Sequence, residues 1–343
     1  MPRELRVAVV GATGLVGTTM LRVLSRRAFP VRELVPIASA QSASSGRCVS
    51  FGGRDVTVRA IAPEAFEGVD LALFSAGAKI SREWCPIAAS KGALVVDNSS
   101  AWRMDPDVPL CVPEVNLDAA RSPKRGIIAN PNCSTIQMVV ALKPIHDAAR
   151  LRRIVVATYQ AVSGAGARAV DSLGEQMRAL AIGAPVEHGA LPGQLAGNLL
   201  MSWRPDPATG YSEEELKMIH ETRKIFGDET IRVSPTTVRV AVANGHSEAV
   251  TIETERPITA AEVRKLLERA PGVRLIDDFG QGRYPQPMDA NGIDEVLVGR
   301  IRDDLGNPGG VQMWIVADNL LKGAALNAVQ IAEALLARRA AAA

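Results

Sequence analysis

The chain has 343 residues, 47% of them hydrophobic, and a formal charge of +2 without long basic runs. That length suits two domains, and the composition suits a full apolar core. The balanced charge leaves no footprint for nucleic acid and no apolar run reaches the length of a membrane span, so the expected partner is a small molecule.

Residues 1–6 lead straight into an apolar strand pattern, with neither the apolar region nor the cleavage site of a secretory signal, and a cytoplasmic location is expected. Residues 6–10 read as a buried strand, 11–17 as a glycine turn and 15–26 as a helix. Apolar runs near 34–38, 56–61, 71–74, 94–96 and 127–129 follow, several separated by helix-like segments. This alternation predicts an α/β fold, a Rossmann-like doubly wound nucleotide-binding domain. Next comes Cys133, directly ahead of an apolar stretch with helical periodicity over 136–149.

Beyond that helix the texture changes. Segments 153–160, 232–233, 237–242, 248–254, 295–301 and 312–316 are β-rich, and 165–182, 212–226 and 260–269 are helical, which predicts an α+β domain with a mostly antiparallel sheet. The Pro- and Gly-rich stretch 183–210 is too long for an ordinary connection and is expected to cross the surface or join an interface. Residues 319–339 read as a long apolar helix returning to the first domain. The expected division is 1–131 with 318–343, and 132–317.

Gly11-Ala12-Thr13-Gly14-Leu15-Val16-Gly17 joins a strand to a helix, where glycines permit a tight turn and let a pyrophosphate approach backbone N–H groups. An NAD-type site adds an acidic residue about twenty positions on, for the ribose hydroxyls. Here Ser39-Ala40-Gln41-Ser42 stands in that place. No carboxylate repels a 2′-phosphate, so NADP is allowed, and NAD is the other candidate.

Cys133 lies in Asn130-Pro131-Asn132-Cys133-Ser134-Thr135. A thiol in the first turn of a helix faces unpaired N–H groups and the positive end of the macrodipole, which favour the thiolate. It reads as a nucleophile or as a small core residue. The four cysteines, Cys48, Cys85, Cys111 and Cys133, are scattered, with neither disulfide density nor zinc spacing, so reduced thiols and no metal are expected. Gln160, Ser163 and Gly164 end a strand in a glycine turn. Arg239 and His246 flank 240–242; histidine suits acid–base chemistry near neutral pH, with a surface His and a structural Arg as the other reading. Asn98 to Arg103 follows 94–96 at the carboxyl edge of the first sheet. Glu214 and Lys217 share a helix face, as a solvated pair or, with Arg103, as part of an anion site.

Together, Gly11 to Gly17, Asp97 to Arg103, Asn130 to Thr135, Tyr159 to Gly166, Glu214 to Lys217, Arg239 to Glu248 and Asp318 to Ala325 resemble the aspartate-semialdehyde dehydrogenase family, in order and from the first strand to the last helix. The resemblance implies reversible NADPH-dependent reductive dephosphorylation of L-aspartyl 4-phosphate to L-aspartate 4-semialdehyde, in the biosynthesis of lysine and diaminopimelate, threonine, methionine and isoleucine. It makes Cys133 the acylated nucleophile, His246 the acid–base catalyst and Gln160 the residue that orients the acyl intermediate. Arg239 holds the substrate carboxylate, Glu214 faces its amine, and Arg103, Asn132 and Lys217 bind phosphate. Gly11, Thr13, Gly14, Leu15, Val16, Gly17, Ser39, Gln41, Ser42, Ser163, Gly164 and Asn319 fall to the cofactor. The second domain is then catalytic and dimerising, and the partners are the small substrate and inorganic phosphate within a homodimer.

Three positions depart from the family pattern. Gln41 stands where an arginine is usual in the cofactor loop, Leu321 stands where arginine is common, and Ala196 to Trp203 diverges from the usual sequence. A rival acyl-phosphate reductase, acting on N-acetyl-glutamyl phosphate, typically carries Asn-Pro-Gly-Cys-Tyr around its cysteine, unlike this chain. A nucleotide-binding paralogue without activity, with a regulatory or assembly role, is the alternative of a different class.

Overall fold

Short runs of β-branched and aliphatic residues with no polar interruption need cover on both faces, and the first sheet supplies it. The computed structural model describes residues 4–201 and 204–342, so Met1 to Arg3, Ser202, Trp203 and Ala343 lie outside the described residues. The chain divides into two compact units, Met1–Asn132 with Ala324–Ala343, and Cys133–Gly323.

The strands of the first unit are β1 (Leu5–Val10), β2 (Val31–Ala38), β3 (Cys48–Phe51), β4 (Arg54–Thr57), β5 (Arg59–Ala60), β6 (Leu71–Phe74), β7 (Leu94–Asp97) and β8 (Ile127–Ala129). Six of them form a parallel sheet in the order β5-β2-β1-β6-β7-β8, and β3 pairs with β4 in a separate hairpin. Val7 to Val10 and Leu71 to Phe74 are buried throughout. At about 1.5–3 kcal/mol for each large aliphatic side chain removed from water, burial holds these runs at the centre. From β1 the chain goes outward to β2 and later returns on the other side as β6. The crevice between the carboxyl ends of β1 and β6 is therefore the switch point where α/β sheets take ligands. Helices α1 (Leu15–Arg26), α2 (Ala40–Ser44), α3 (Ala78–Ser90) and α4 (Pro113–Asn116) connect these strands.

The second unit runs α5 (Cys133–Ala149), β9 (Leu151–Gln160), α6 (Ala167–Ala181), β10 (Leu199–Leu200), α7 (Glu213–Phe226), β11 (Arg232–Val240), β12 (His246–Thr254), α8 (Ala260–Leu267), β13 (Val273–Leu275), α9 (Pro287–Ala290), β14 (Val296–Asp303) and β15 (Val311–Ala317). Its sheet has the order β10-β11-β9-β12-β15-β14-β13; β9–β11 and β13–β14 are parallel and the remaining pairs antiparallel. Period-two alternation sorts its faces. His246, Glu248, Val250, Ile252 and Thr254 of β12 are all buried, on the side where α5 packs against β9, β12, β14 and β15. On the opposite side Val155 and Tyr159 are 37% and 38% exposed, and the Tyr159 ring lies 5.3 Å from that of Trp314. After β15 a π-helical turn, Leu321–Ala325, leads into α10 (Leu326–Ala342). Within the first unit α10 packs on α1, and Arg27 pairs with Glu333 at 2.8 Å.

Four expectations need correction. Residues 56–61 are not one buried strand: Val56 closes the hairpin, and Arg59 and Ala60 form an exposed edge. The separate strands at 232–233 and 237–242 are one, with Pro235 inside it. Thr237 N–H, two residues on and so pointing the same way, turns from the sheet to the Glu215 carboxylate at 3.0 Å. Pro235 thus lacks a donor only on the side where β10 does not reach, since β10 pairs with Arg239 and Val240 alone. The helix expected over 165–182 is broken by Gly166 at φ +92° into a 3-10 turn, Val162–Ala165, and α6. The stretch 183–210 is mostly exposed among its described residues, as a surface crossing requires, and is anchored where Leu191, Leu195 and Ala196 pack with Val162, Ala169 and Leu173 and the Gln176 Oε1 accepts from the N–H groups of Leu195 and Ala196. The single helix over 319–339 is replaced by the π-helical turn followed by α10.

Candidate active site

In the first unit the glycine turn has no room for a side chain at Gly11 or Gly17. Gly11 has φ +85°, and a Cβ there would lie 2.9 Å from the Ser75 carbonyl; a Cβ on Gly17 would lie 2.1 Å from the Gly11 oxygen. Gly14 caps α1 without any side-chain hydrogen bond, and the first turn of α1 holds no acidic residue. The helix start is thus an uncapped, unopposed positive end beside a bare backbone, the cradle a pyrophosphate fits. Thr13, Leu15 and Val16 are half-buried around it. Past the end of β2, Ser39 caps α2 by accepting from Ser42 N–H at 3.3 Å, its hydroxyl 3.2 Å from that of Ser42, and Gln41 is exposed beside them.

Deeper in this unit Asp97 is fully buried and takes hydrogen bonds from the Ser81 and Ser99 hydroxyls at 2.6 and 2.7 Å. Burial raises its pKa, while those hydroxyls, the Ser99 N–H and Arg103 oppose the rise. The aspartate fixes the loop that carries Arg103, whose guanidinium donates to the carbonyls of Asn130 and Asn98 at 2.9 and 3.0 Å. Asn132 is buried at the end of the unit.

The second unit holds the other predicted residues. Cys133 opens α5, and Gly323 packs against it so closely that a Cβ on that glycine would lie 2.8 Å from the cysteine Cβ. Gln160, at the end of β9, donates through Nε2 to the Ser134 hydroxyl at 2.9 Å and to the Glu214 carboxylate at 3.2 Å. Glu214 and Glu213 hold Lys217 at 3.5 and 2.9 Å. One peptide group serves two side chains: Ala161 N–H donates to His246 Nδ1 at 3.0 Å, and the Ala161 carbonyl accepts from Arg239 Nη1 at 2.7 Å. Burial lowers the pKa of Arg239, opposed by the charges of Cys133 and Glu214. Burial and then Arg239 hold His246 well below the ordinary imidazole range.

The structure therefore gathers Cys133, Gln160, Glu214, Arg239 and His246 within one unit and keeps Lys217 with them. Arg103 and Asn132 belong to the other unit, with the glycine turn and Ser39 to Ser42. Ser163 and Asn319 bond each other at 2.8 Å, and Asn319 also accepts from Gly245 N–H. Gly164 lies against the chemistry itself, since a Cβ there would be 3.2 Å from Arg239 Nη1 and 3.3 Å from His246 Nε2. Leu321 is buried where an arginine is common in the resemblance, and its burial is the apolar solution for that position. Sequence reasoning missed Gly323, Ala161 and Asp97 as functional positions. Gly323 lay within a quoted motif, but only contact with Cys133 reveals its use.

The model of the semialdehyde dehydrogenase NAD-binding domain matches residues 6–122, and that of the semialdehyde dehydrogenase dimerisation domain matches 142–322. Aspartate-semialdehyde dehydrogenase of Aquifex aeolicus is 54% identical over 334 residues, covering 96% of this chain and 98% of that protein. The chain belongs to the aspartate-semialdehyde dehydrogenase family. Another member, from Legionella pneumophila, is 51% identical, with 98% of this chain and 96% of that protein covered. The crystal structure of aspartate semialdehyde dehydrogenase II from Vibrio cholerae, complexed with ASA, superposes with a TM-score of 0.94 at 49% identity, covering 98% of this chain and 99% of that one. The family's two-part architecture, an NAD(P)-binding Rossmann-like sheet and a mixed catalytic sheet, is the one described above. Among the described residues no helix is long and apolar enough to cross a membrane.

Proposed function

We propose that the chain reduces L-aspartyl 4-phosphate to L-aspartate 4-semialdehyde, reversibly and with NADPH, through a thioester on Cys133. The observation that carries this reading is the set Cys133, Gln160, Glu214, Arg239 and His246 around one buried interior, in a chain similar over nearly its whole length to enzymes of that name. The reaction serves the biosynthesis of lysine and diaminopimelate, threonine, methionine and isoleucine.

Cys133 attacks the acyl carbon from the start of α5, where the positive end of the helix favours charge on sulfur and on the developing oxyanion. Arg239 grips the substrate carboxylate with the donors not turned to Ala161, Glu214 faces its amine, and Gln160 orients the acyl group. Arg103, Asn132 and Lys217 take the phosphate. The glycine turn would hold the dinucleotide's pyrophosphate, and Ser39, Gln41 and Ser42 would hold its adenosine end. When bound, the dinucleotide supplies the hydride that reduces the thioester. With no carboxylate in that loop, the reading favours NADP over NAD. The open side of the second sheet, with Val155, Tyr159 and Trp314, suits a second copy of the chain, as in a homodimer.

The test is initial rates of reduced-cofactor formation from aspartate semialdehyde, with and without phosphate, using NADP and NAD in parallel. Phosphate-dependent turnover that Cys133→Ser abolishes is expected. Full activity in that variant, or turnover of the N-acetylglutamate analogue in preference, overturns the reading.

A further inference from the structure

Two neighbouring strands of the first sheet end in step, and an asparagine follows each. Asp97 pairs with Ala129 in the register of β7 and β8, so Asn98 and Asn130 stand side by side at the carboxyl edge, where the Arg103 loop begins. Asn130 is fully buried, and a buried side-chain amide needs partners for its oxygen and its N–H groups alike. Its Nδ2 donates to Asn98 Oδ1 at 2.6 Å and to the Ala324 carbonyl at 3.3 Å. Its Oδ1 accepts at 2.7 Å from Nδ2 of Asn327, which is fully buried in the first turn of α10 and also donates to the Cys111 carbonyl at 3.1 Å.

These side chains form an amide ladder with a single direction. Turning Asn130 over would set its oxygen against those of Asn98 and Ala324, and its N–H groups against those of Asn327. Turning Asn327 over would set its oxygen against the Cys111 carbonyl. Two main-chain carbonyls thus fix the sense of the whole ladder, and each amide polarises the next.

Beside the far end stands the buried Arg103. Its Nε donates to the carbonyl of Asn130 and its Nη2 to that of Asn98, the same residues that the ladder joins through their side chains. A guanidinium is a rigid plane, so these two bonds set its heading. Asp97 attracts the cation, but its own oxygens are taken by Ser81 and Ser99.

We propose that Asn327 and Asn130 are positioning residues for the phosphate site: from α10 they lock the two carbonyls that aim Arg103 at phosphate. This rests on the reading above, in which Arg103 takes that group. A guanidinium aligned in advance makes its charge-assisted bonds without first giving up rotamer freedom, and one that rocks does not. The effect is confined to phosphate. Arg239, the anchor for the semialdehyde, belongs to the second unit, and the pyrophosphate cradle lies at the end of β1.

Asn327→Leu keeps the volume of the side chain and removes its donors. On the full-length chain it should raise the KM for phosphate about tenfold, the loss of one aligned charged bond, while the KM values for semialdehyde and NADP move less than about twofold. Asn327→Ser retains one donor and should raise the same KM by a smaller factor; it carries the test if the leucine chain does not fold. Calorimetric titration with inorganic phosphate should show Kd rising in step with that KM. A folded variant with an unchanged phosphate KM overturns the proposal. So do KM values that rise together, because a merely structural amide loosens the chain without choosing among ligands. A wild-type chain that does not turn over the semialdehyde sinks the functional reading instead. The titration then judges the ladder, weaker phosphate binding in the variant supporting it and equal or absent binding in both chains overturning it.

Discussion

Gly323→Ala replaces a hydrogen with a methyl group where the end of the second unit packs on Cys133. The new Cβ would lie 2.8 Å from Cys133 Cβ, 3.3 Å from Cys133 Cα and 3.5 Å from Asn319 Cβ. Carbon atoms rest at about 3.5–4.0 Å, so the cysteine or the turn must yield by roughly 1 Å. Gly323 does not adopt a positive φ, and alanine suits its helical turn intrinsically by about 1 kcal/mol. Overpacking costs about 1–3 kcal/mol, so net stability should fall by no more than about 2 kcal/mol. A displacement of about 1 Å at a nucleophile costs about 100-fold in rate, or about 2.7 kcal/mol of barrier. Phosphate-dependent turnover of aspartate semialdehyde should thus drop about 100-fold while the thermal midpoint moves only slightly. Alkylation of Cys133 by iodoacetamide, followed in parallel, should change its rate. A variant with wild-type kcat and alkylation rate would show that the glycine does not position the thiol.

Other substitutions probe the rest of the molecule. Glu248 is fully buried, with neither carboxyl oxygen hydrogen-bonded among the described residues and its pKa raised well above 4.5. A raised folded-state pKa means the folded chain holds a proton that the unfolded chain has lost, so stability falls as pH climbs above 4.5, by about 1.4 kcal/mol per unit, until the folded value is passed. Glu248→Gln should flatten that decline and raise the thermal midpoint at pH 8 relative to pH 5; an unchanged pH dependence would contradict this. Gln41→Arg places a cation in the exposed cofactor loop and should lower KM for NADP about fivefold with little change for NAD, while equal shifts for both would remove Gln41 from 2′-phosphate recognition. Arg239→Lys keeps the charge but cannot serve the Ala161 carbonyl and a substrate carboxylate in one fork, so KM for the semialdehyde should rise at least about tenfold, and an unchanged KM would exclude Arg239 as the anchor.

Much of this arrangement was legible because the physics is local. The runs at 71–74 and 127–129 stand in the structure as β6 and β8 with the same bounds, since strands covered on both faces tolerate no polar residue. The glycine turn was readable for a similar reason, as crowding at Gly11 and Gly17 admits no other residue. What escaped depends on partners distant in sequence. The segments 232–233 and 237–242 join into one strand across Pro235 because its missing N–H has no strand to serve. The family resemblance gave His246 an acid–base role, but the N–H that bonds its Nδ1 belongs to Ala161, 85 positions away. Gly323 lies 190 residues from Cys133, and no spacing rule links them.

Those two residues are also the ends of the second unit, which begins with Cys133 and closes with Gly323. A segment whose ends touch can be exchanged as a cassette, because the host chain need span almost no distance to accept it. Here, however, both splice points fall on the nucleophile's own packing contact. A chimaera between relatives must carry each junction from the same parent, or the incoming thiol will meet a closing turn shaped for another one.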